Sequence, residues 1–372
     1  MIRQKIKNAK RLVIKVGSSL VTDNGLGLHQ ERILHWVEQI VCLHGEGKQV
    51  VLVSSGAVAE GVSRLGLKTR PEEMHLQQAA AAVGQMGLVQ IYESFFKNHN
   101  VHTAQILLSH EDLSDRTRYL NARTTLTTLL DMGVIPVVNE NDTVATAELC
   151  FGDNDTLAAL VANLISAEAM IVLTDQNGVY EEDPRLNTSS NLIPEASAND
   201  ELLLQVAGKG TKLGRGGMLT KISAAKLAAR SGTDTVIANG EISDVLLKFS
   251  AGELIGSLLY ADSEPIAARK QWLAGQLTVK GTLQLDSGAI KVLKNSGTSL
   301  LAVGIEIAEG QFSRGDVVVC VDSKGNEIAR GLVNYDSEEV NKIRGEASEK
   351  ILDLLGYSGD EEIIHRDNLV LV

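Results

Sequence analysis

The feature that most constrains this chain is a repeated pattern: a short apolar run, a small polar loop, then a helical stretch. RLVIKVGSS (11–19) is a buried-strand pattern that ends in Gly-Ser-Ser. QVVLVSSGAVAEGVSRLG (49–66) repeats it as strand, loop and helix. VHTAQILLS (101–109), GVIPVVNEND (133–142), AMIVLTD (169–175) and TDTVIAN (233–239) are further strand candidates. Helical stretches are predicted over 29–45, 118–132, 154–166 and 217–231. The strand interiors lack the polar alternation of a half-solvated sheet. Strands alternating with helices therefore predict an α/β fold, a mainly parallel sheet sandwiched by helices.

In such folds the loops at the carboxyl ends of the strands carry function. The polar clusters fall at those ends: Gly17-Ser18-Ser19, Ser54-Ser55-Gly56, Asn139-Glu140-Asn141-Asp142 and Thr174-Asp175. The texture changes after about residue 262. Short β-type runs punctuated by Gly and Asp then predict a small C-terminal β-rich domain. The expected division is a domain over 1–262, a linker over 263–275 and a second domain over 276–372.

At 372 residues two domains are the default, and 44% hydrophobic content with only 5 Pro suits compact domains. The net charge of −12 disfavours nucleic acid and anionic membranes as general partners. Over 276–372 there are 10 Lys plus Arg against 16 Asp plus Glu, a net of −6, so RNA binding is not expected of the tail. Assembly or regulation is the preferred role for it. Cys42, Cys150 and Cys320 form no CxxC pair and read as free thiols in a reducing compartment. With neither a signal peptide nor a run long enough to cross a membrane, a cytoplasmic protein is expected.

Three polar stretches carry candidate chemistry. Lys15 lies near the end of an apolar strand. It either meets an anion such as a phosphate or snorkels at the strand end, and spacing alone divides these evenly. GKGTKLGRGGMLTK (208–221) holds five glycines and four cations before a helix, which suits anion binding, although a flexible surface loop has the same composition. It matches neither the Walker A nor the Rossmann pattern. GDNDTLAALVA (152–162) places Asp153, Asn154 and Asp155 where one capping side chain suffices. The spare groups suit a zwitterionic substrate beside lysines; a solvated acidic turn is the alternative. No His-based metal site stands out.

Together VIKVGSSLV (13–21), VLVSSGAVAEG (51–61), AAAVGQ (80–85), YLNARTTL (119–126), PVVNENDTVATAE (136–148), GDNDTLAAL (152–160), LTDQNGVYEEDPR (173–185) and GRGGMLTK (214–221) resemble the amino acid kinase family. The tail looks like a PUA-type domain. The likeness is to the branch of the family that phosphorylates the side-chain carboxylate of L-glutamate with ATP, the first step of proline synthesis. It implies that Lys15 and Lys221 stabilise the transferring phosphoryl group and that Asp155 orients them. It also implies that Ser55, Asp142 and Asn154 hold glutamate, Asp142 and Asn154 near its ammonium. Lys15, Thr174, Asp175 and the loop Arg215, Gly216, Gly217, Met218, Leu219, Thr220 and Lys221 are implied to bind ATP, with Mg2+ on its phosphates. Arg215 and Leu219 stand where the family pattern has Thr and Ser. A homo-oligomer, dimer or tetramer, and inhibition by proline are family expectations. An aspartokinase or a uridylate kinase is the nearest rival reading.

Overall fold

The computed structural model describes residues 2–23, 27–144, 154–208, 217–262, 279–296, 298–357 and 359–371. The chain divides into two compact units, residues 1–114 with 122–265, and residues 266–372 with 115–121. The expected linker 263–275 and Cys150 lie outside the described residues.

In chain order the elements begin α1 (Ile2–Asn8), β1 (Arg11–Val16), α2 (Ser18–Val21), α3 (Gln30–Gly45), β2 (Gln49–Ser54) and α4 (Ala57–Arg64). They continue with α5 (Met74–Lys97), β3 (Thr103–Leu108), α6 (His110–Ser114), α7 (Arg116–Asp131), β4 (Ile135–Glu140) and α8 (Asn154–Ile165). Then follow β5 (Ala169–Thr174), β6 (Glu195–Ser197), α9 (Glu201–Gly208), α10 (Met218–Ala229), β7 (Asp234–Asn239), α11 (Val245–Ala251) and β8 (Ser257–Tyr260).

One eight-stranded sheet has the order β3-β4-β2-β1-β5-β7-β8-β6. Every pairing is parallel except β7 with β8. The expected mainly parallel sheet is therefore present. β4 and β5 are buried along their whole length. Helices on both faces exclude water from Val, Ile and Leu side chains, which explains the continuous apolar runs.

The sequence pattern did not disclose α5. Its 24 residues include four consecutive alanines and two glycines, so its apolar stripe is faint. It packs closely on α4. A Cβ on Gly61 would lie 1.7 Å from the Ala80 carbonyl oxygen, and one on Gly84 would lie 1.9 Å from that of Ala57. Only glycine permits this crossing, which seats α5 beside the start of α4.

The second unit holds β9 (Val279–Leu285), β10 (Leu300–Leu301), β11 (Ile305–Gly310), β12 (Val317–Val321), β13 (Glu327–Leu332), β14 (Glu362–Ile364) and β15 (Leu369–Leu371). β11-β9-β12-β13-β15 form a five-stranded sheet, and β10 pairs with β14. Leu283, Val318, Cys320, Tyr335 and Ile363 belong to its core. Cys42 and Cys320 are free thiols. Among the described residues no helix is long and apolar enough to cross a membrane.

Candidate active site

Lys15 occupies the fifth position of β1, with Val53 of β2 on one side and Val172 of β5 on the other. It is 3% exposed. An ammonium so placed is strongly unfavourable without a counter-charge. Asp155 supplies one from the first turn of α8, which packs on β1 and on α10. One Asp155 carboxylate oxygen pairs with Lys15. The other lies 3.1 Å from Lys221 Nζ, one turn into α10. Thr220 Oγ1 donates to that second oxygen at 2.9 Å and also reaches the Gly217 carbonyl at 2.7 Å. Asp155 is fully buried and Lys221 is 4% exposed.

Burial alone would raise the Asp155 carboxyl pKa. The charges of Lys15 and Lys221, with hydrogen bonds from Lys15 and Thr220, outweigh burial and hold it below the usual carboxylate range. The triad is thus two cations sharing one anion, a buried site of net positive charge.

The triad opens on a cleft of 380 Å³. Its lining includes Lys15, Ser55, Asp142, Asn154, Thr174, Asp175 and Lys221, which the sequence named from six separate segments. Ser18, Ser19, Arg70, Asn139 and Glu140 line it as well, together with residues Gly56 to Ala59 at the start of α4. Gly56 turns the chain into α4 at φ 113°, a left-handed conformation that favours glycine. A larger neighbouring cavity of 730 Å³ shares Ser18, Ser19, Ala59 and Arg70 with the cleft but holds no member of the triad.

Asn154 opens α8, and its Nδ2 faces three acceptors: the Ser54 carbonyl oxygen at 3.1 Å, Ser55 Oγ at 2.9 Å and Asn139 Oδ1 at 2.8 Å. Asn139 Nδ2 donates in turn to Gln85 Oε1 at 2.8 Å. The Asp142 carboxyl is pushed up to about 6, first by burial and then by Glu140, against the lowering charge of Arg70. Thr174 closes β5, and its hydroxyl donates to Asp175 Oδ1 at 3.0 Å.

The expected nucleotide loop is only partly described. Gly217 precedes α10, and Met218, Leu219, Thr220 and Lys221 form its first turn. Arg215, Gly216 and Asp153 lie outside the described residues. Arg70 was not singled out from sequence, and Gln85 was quoted only as the end of AAAVGQ (80–85), with no role given to it. Arg70 sits in the polar stretch between α4 and α5, and Gln85 sits inside α5, where neither interrupts an apolar strand nor follows one.

The sequence pattern of the amino acid kinase family matches residues 10–239, and that of the PUA domain matches 281–355. Glutamate 5-kinase from Saccharophagus degradans is 56% identical over 370 residues, covering 100% of this chain and 99% of that protein. The Nitrosospira multiformis glutamate 5-kinase is 58% identical over 368 residues, 99% of each chain. That of Pseudomonas syringae pv. tomato is 57% identical over 372 residues, the whole of both. A solved UMP kinase from Bacillus anthracis aligns with 68% of this chain and 97% of its own, at 17% identity and a TM-score of 0.49, too distant a likeness to carry an inference. With its full-length relatives and a family match spanning most of the sheet that builds the cleft, the chain belongs to the amino acid kinase family.

Proposed function

We propose that this chain transfers the γ-phosphoryl group of ATP to the side-chain carboxylate of L-glutamate, forming L-glutamyl 5-phosphate, the first step of proline biosynthesis. The observation that carries this reading is the Lys15–Asp155–Lys221 triad on a cleft that also presents Asp142, Asn154 and Ser55.

The chemistry requires little covalent help. A glutamate carboxylate oxygen attacks the γ-phosphorus, and the bond from phosphorus to the ADP oxygen breaks, its electron pair leaving with ADP. The attacking group is already an anion, so no general base is needed. The task is to bring two anions together and to neutralise charge on the transferring group. Lys15 and Lys221 do this with ammonium groups that Asp155 holds in fixed positions. Asp155 is no base, since its carboxylate is saturated by two lysines and Thr220.

Substrate recognition falls to the other polar groups of the cleft. Ionised Asp142 meets the glutamate ammonium, and binding that cation favours its charged form. Ser55 Oγ accepts from Asn154 and keeps its own proton for a substrate oxygen. The donor set fits a nucleotide triphosphate, because two buried ammonium groups face the cleft. Thr174, Asp175 and residues 215–221 are the proposed nucleotide contacts. Asp175 is suited to meet the water shell of Mg2+ carried on the phosphates. Mg2+ held there would supply further positive charge beside the phosphates.

The proposal extends to the rest of the chain. Residues 1–262 are the catalytic part, 263–275 the linker and 276–372 an assembly or regulatory module. The enzyme is placed in the cytoplasm as a dimer or tetramer, with proline competing for the glutamate site. Hydroxylamine trapping with Mg-ATP tests the reaction: hydroxamate forms from L-glutamate but not from aspartate or N-acetylglutamate. No hydroxamate from glutamate, with turnover on a control acid, overturns the substrate assignment.

A further inference from the structure

We infer that Gln85 is a positioning residue for substrate recognition: by accepting from Asn139 it helps the Ser54 carbonyl hold the direction in which the Asn154 amide faces. This rests on the glutamate reading of the cleft proposed above.

The direction of each amide follows from one backbone atom. The Ser54 carbonyl oxygen can only accept, so Asn154 turns Nδ2 toward it at 3.1 Å. The same nitrogen lies 2.8 Å from Asn139, which must therefore present Oδ1. Asn139 then offers Nδ2 to Gln85 at 2.8 Å, and Gln85 must answer with Oε1. Asn154 lines the cleft, and with its Nδ2 turned to protein acceptors its Oδ1 is the end of the amide suited to accept from an ammonium.

The far end of this relay shows why the residue is glutamine. Gln85 is 8% exposed, and its Nε2 is buried without a hydrogen-bond partner among the described residues. An orphaned buried donor carries a penalty that an apolar side chain of the same size would avoid. Packing alone therefore does not account for glutamine; its Oε1 does. Gln85 does not line the cleft, so it acts through Asn139 and not on substrate. The glycine contact between α4 and α5 brings it within reach, because Gly84 precedes it directly.

The test is steady-state kinetics and thermal unfolding of wild type, Gln85→Met and Gln85→Glu. Methionine keeps the volume and removes the acceptor. Glutamic acid, kept neutral by burial, retains an oxygen toward Asn139. Gln85→Met is expected to raise the glutamate KM about tenfold while kcat and the ATP KM stay within about threefold. The rise in Tm given by glutamate is reduced, and the rise given by Mg-ATP is kept. Gln85→Glu restores the glutamate KM to within about threefold of wild type. Should Gln85→Met not fold, Gln85→Ala carries the same expectations. An unchanged glutamate KM, a parallel change in kcat and both KM values, or Gln85→Glu as impaired as Gln85→Met would overturn the inference. Wild type inactive on glutamate would overturn the substrate reading and this inference together; active wild type with an unaffected Gln85→Met would overturn the inference alone.

Discussion

Lys221 Nζ lies 3.1 Å from Asp155 Oδ2 although 66 residues separate them, and the other oxygen of the same carboxylate pairs with Lys15 of β1. Asp155→Asn keeps the shape and removes the only charge that balances two buried ammonium groups within the triad. Breaking a buried pair costs about 3–5 kcal/mol, so Tm should fall clearly and kcat by about a hundredfold or more. Because the folded carboxyl pKa is lowered, this stabilisation is present above the unfolded value and is lost as pH falls through the folded one. Acid unfolding followed by circular dichroism should show wild type losing its stability advantage over Asp155→Asn only at low pH.

Asp142 behaves in the opposite sense. Its carboxyl is raised from 3.8 to about 6, so it binds an ammonium well at pH 7 and poorly at pH 5. The ionised fraction falls from about nine-tenths to about one-tenth over that range, and the glutamate KM should rise about tenfold. A raised acid also costs stability as pH climbs from the unfolded to the folded value. Asp142→Asn should therefore be more stable than wild type at pH 7, by about 1–3 kcal/mol, while losing glutamate affinity. A pH-independent glutamate KM in wild type would contradict the role given to Asp142.

The sequence disclosed most of the site and left Arg70 and the role of Gln85 concealed, for physical reasons. Lys15 was visible because a cation inside an apolar strand demands an anion. Asp155 and Asn154 were visible because a helix start carried more polar groups than capping needs. Asp142 and Thr174 stood out because they end apolar runs. Gln85 and Arg70 gave no such signal. Their significance depends on how α4 and α5 cross, and that is set by small residues whose contact cannot be read along one chain. The sheet was legible for the same reason as Lys15, since buried parallel strands are continuous apolar runs. The short strands β6 and β8 were not, having three and four residues to display a pattern.

The crossing of α4 and α5 gives a separate prediction. Gly84→Ala places a methyl group 1.9 Å from the Ala57 carbonyl oxygen, where neither backbone can yield locally. The helices must separate, at a cost of about 1–3 kcal/mol. Urea unfolding should show that loss of stability. Because Ala57 to Ala59 line the cleft, the glutamate KM should rise in the protein that remains folded.

The central claim is that Lys15 and Lys221 supply the charge for phosphoryl transfer to a carboxylate. The most direct measurement is the rate of hydroxamate formation from L-glutamate and Mg-ATP by Lys221→Met beside wild type. The account predicts a loss in kcat of about a hundredfold or more, with the glutamate KM within about threefold of wild type because Lys221 acts on the transferring group. A Lys221→Met enzyme with near-normal turnover would contradict it.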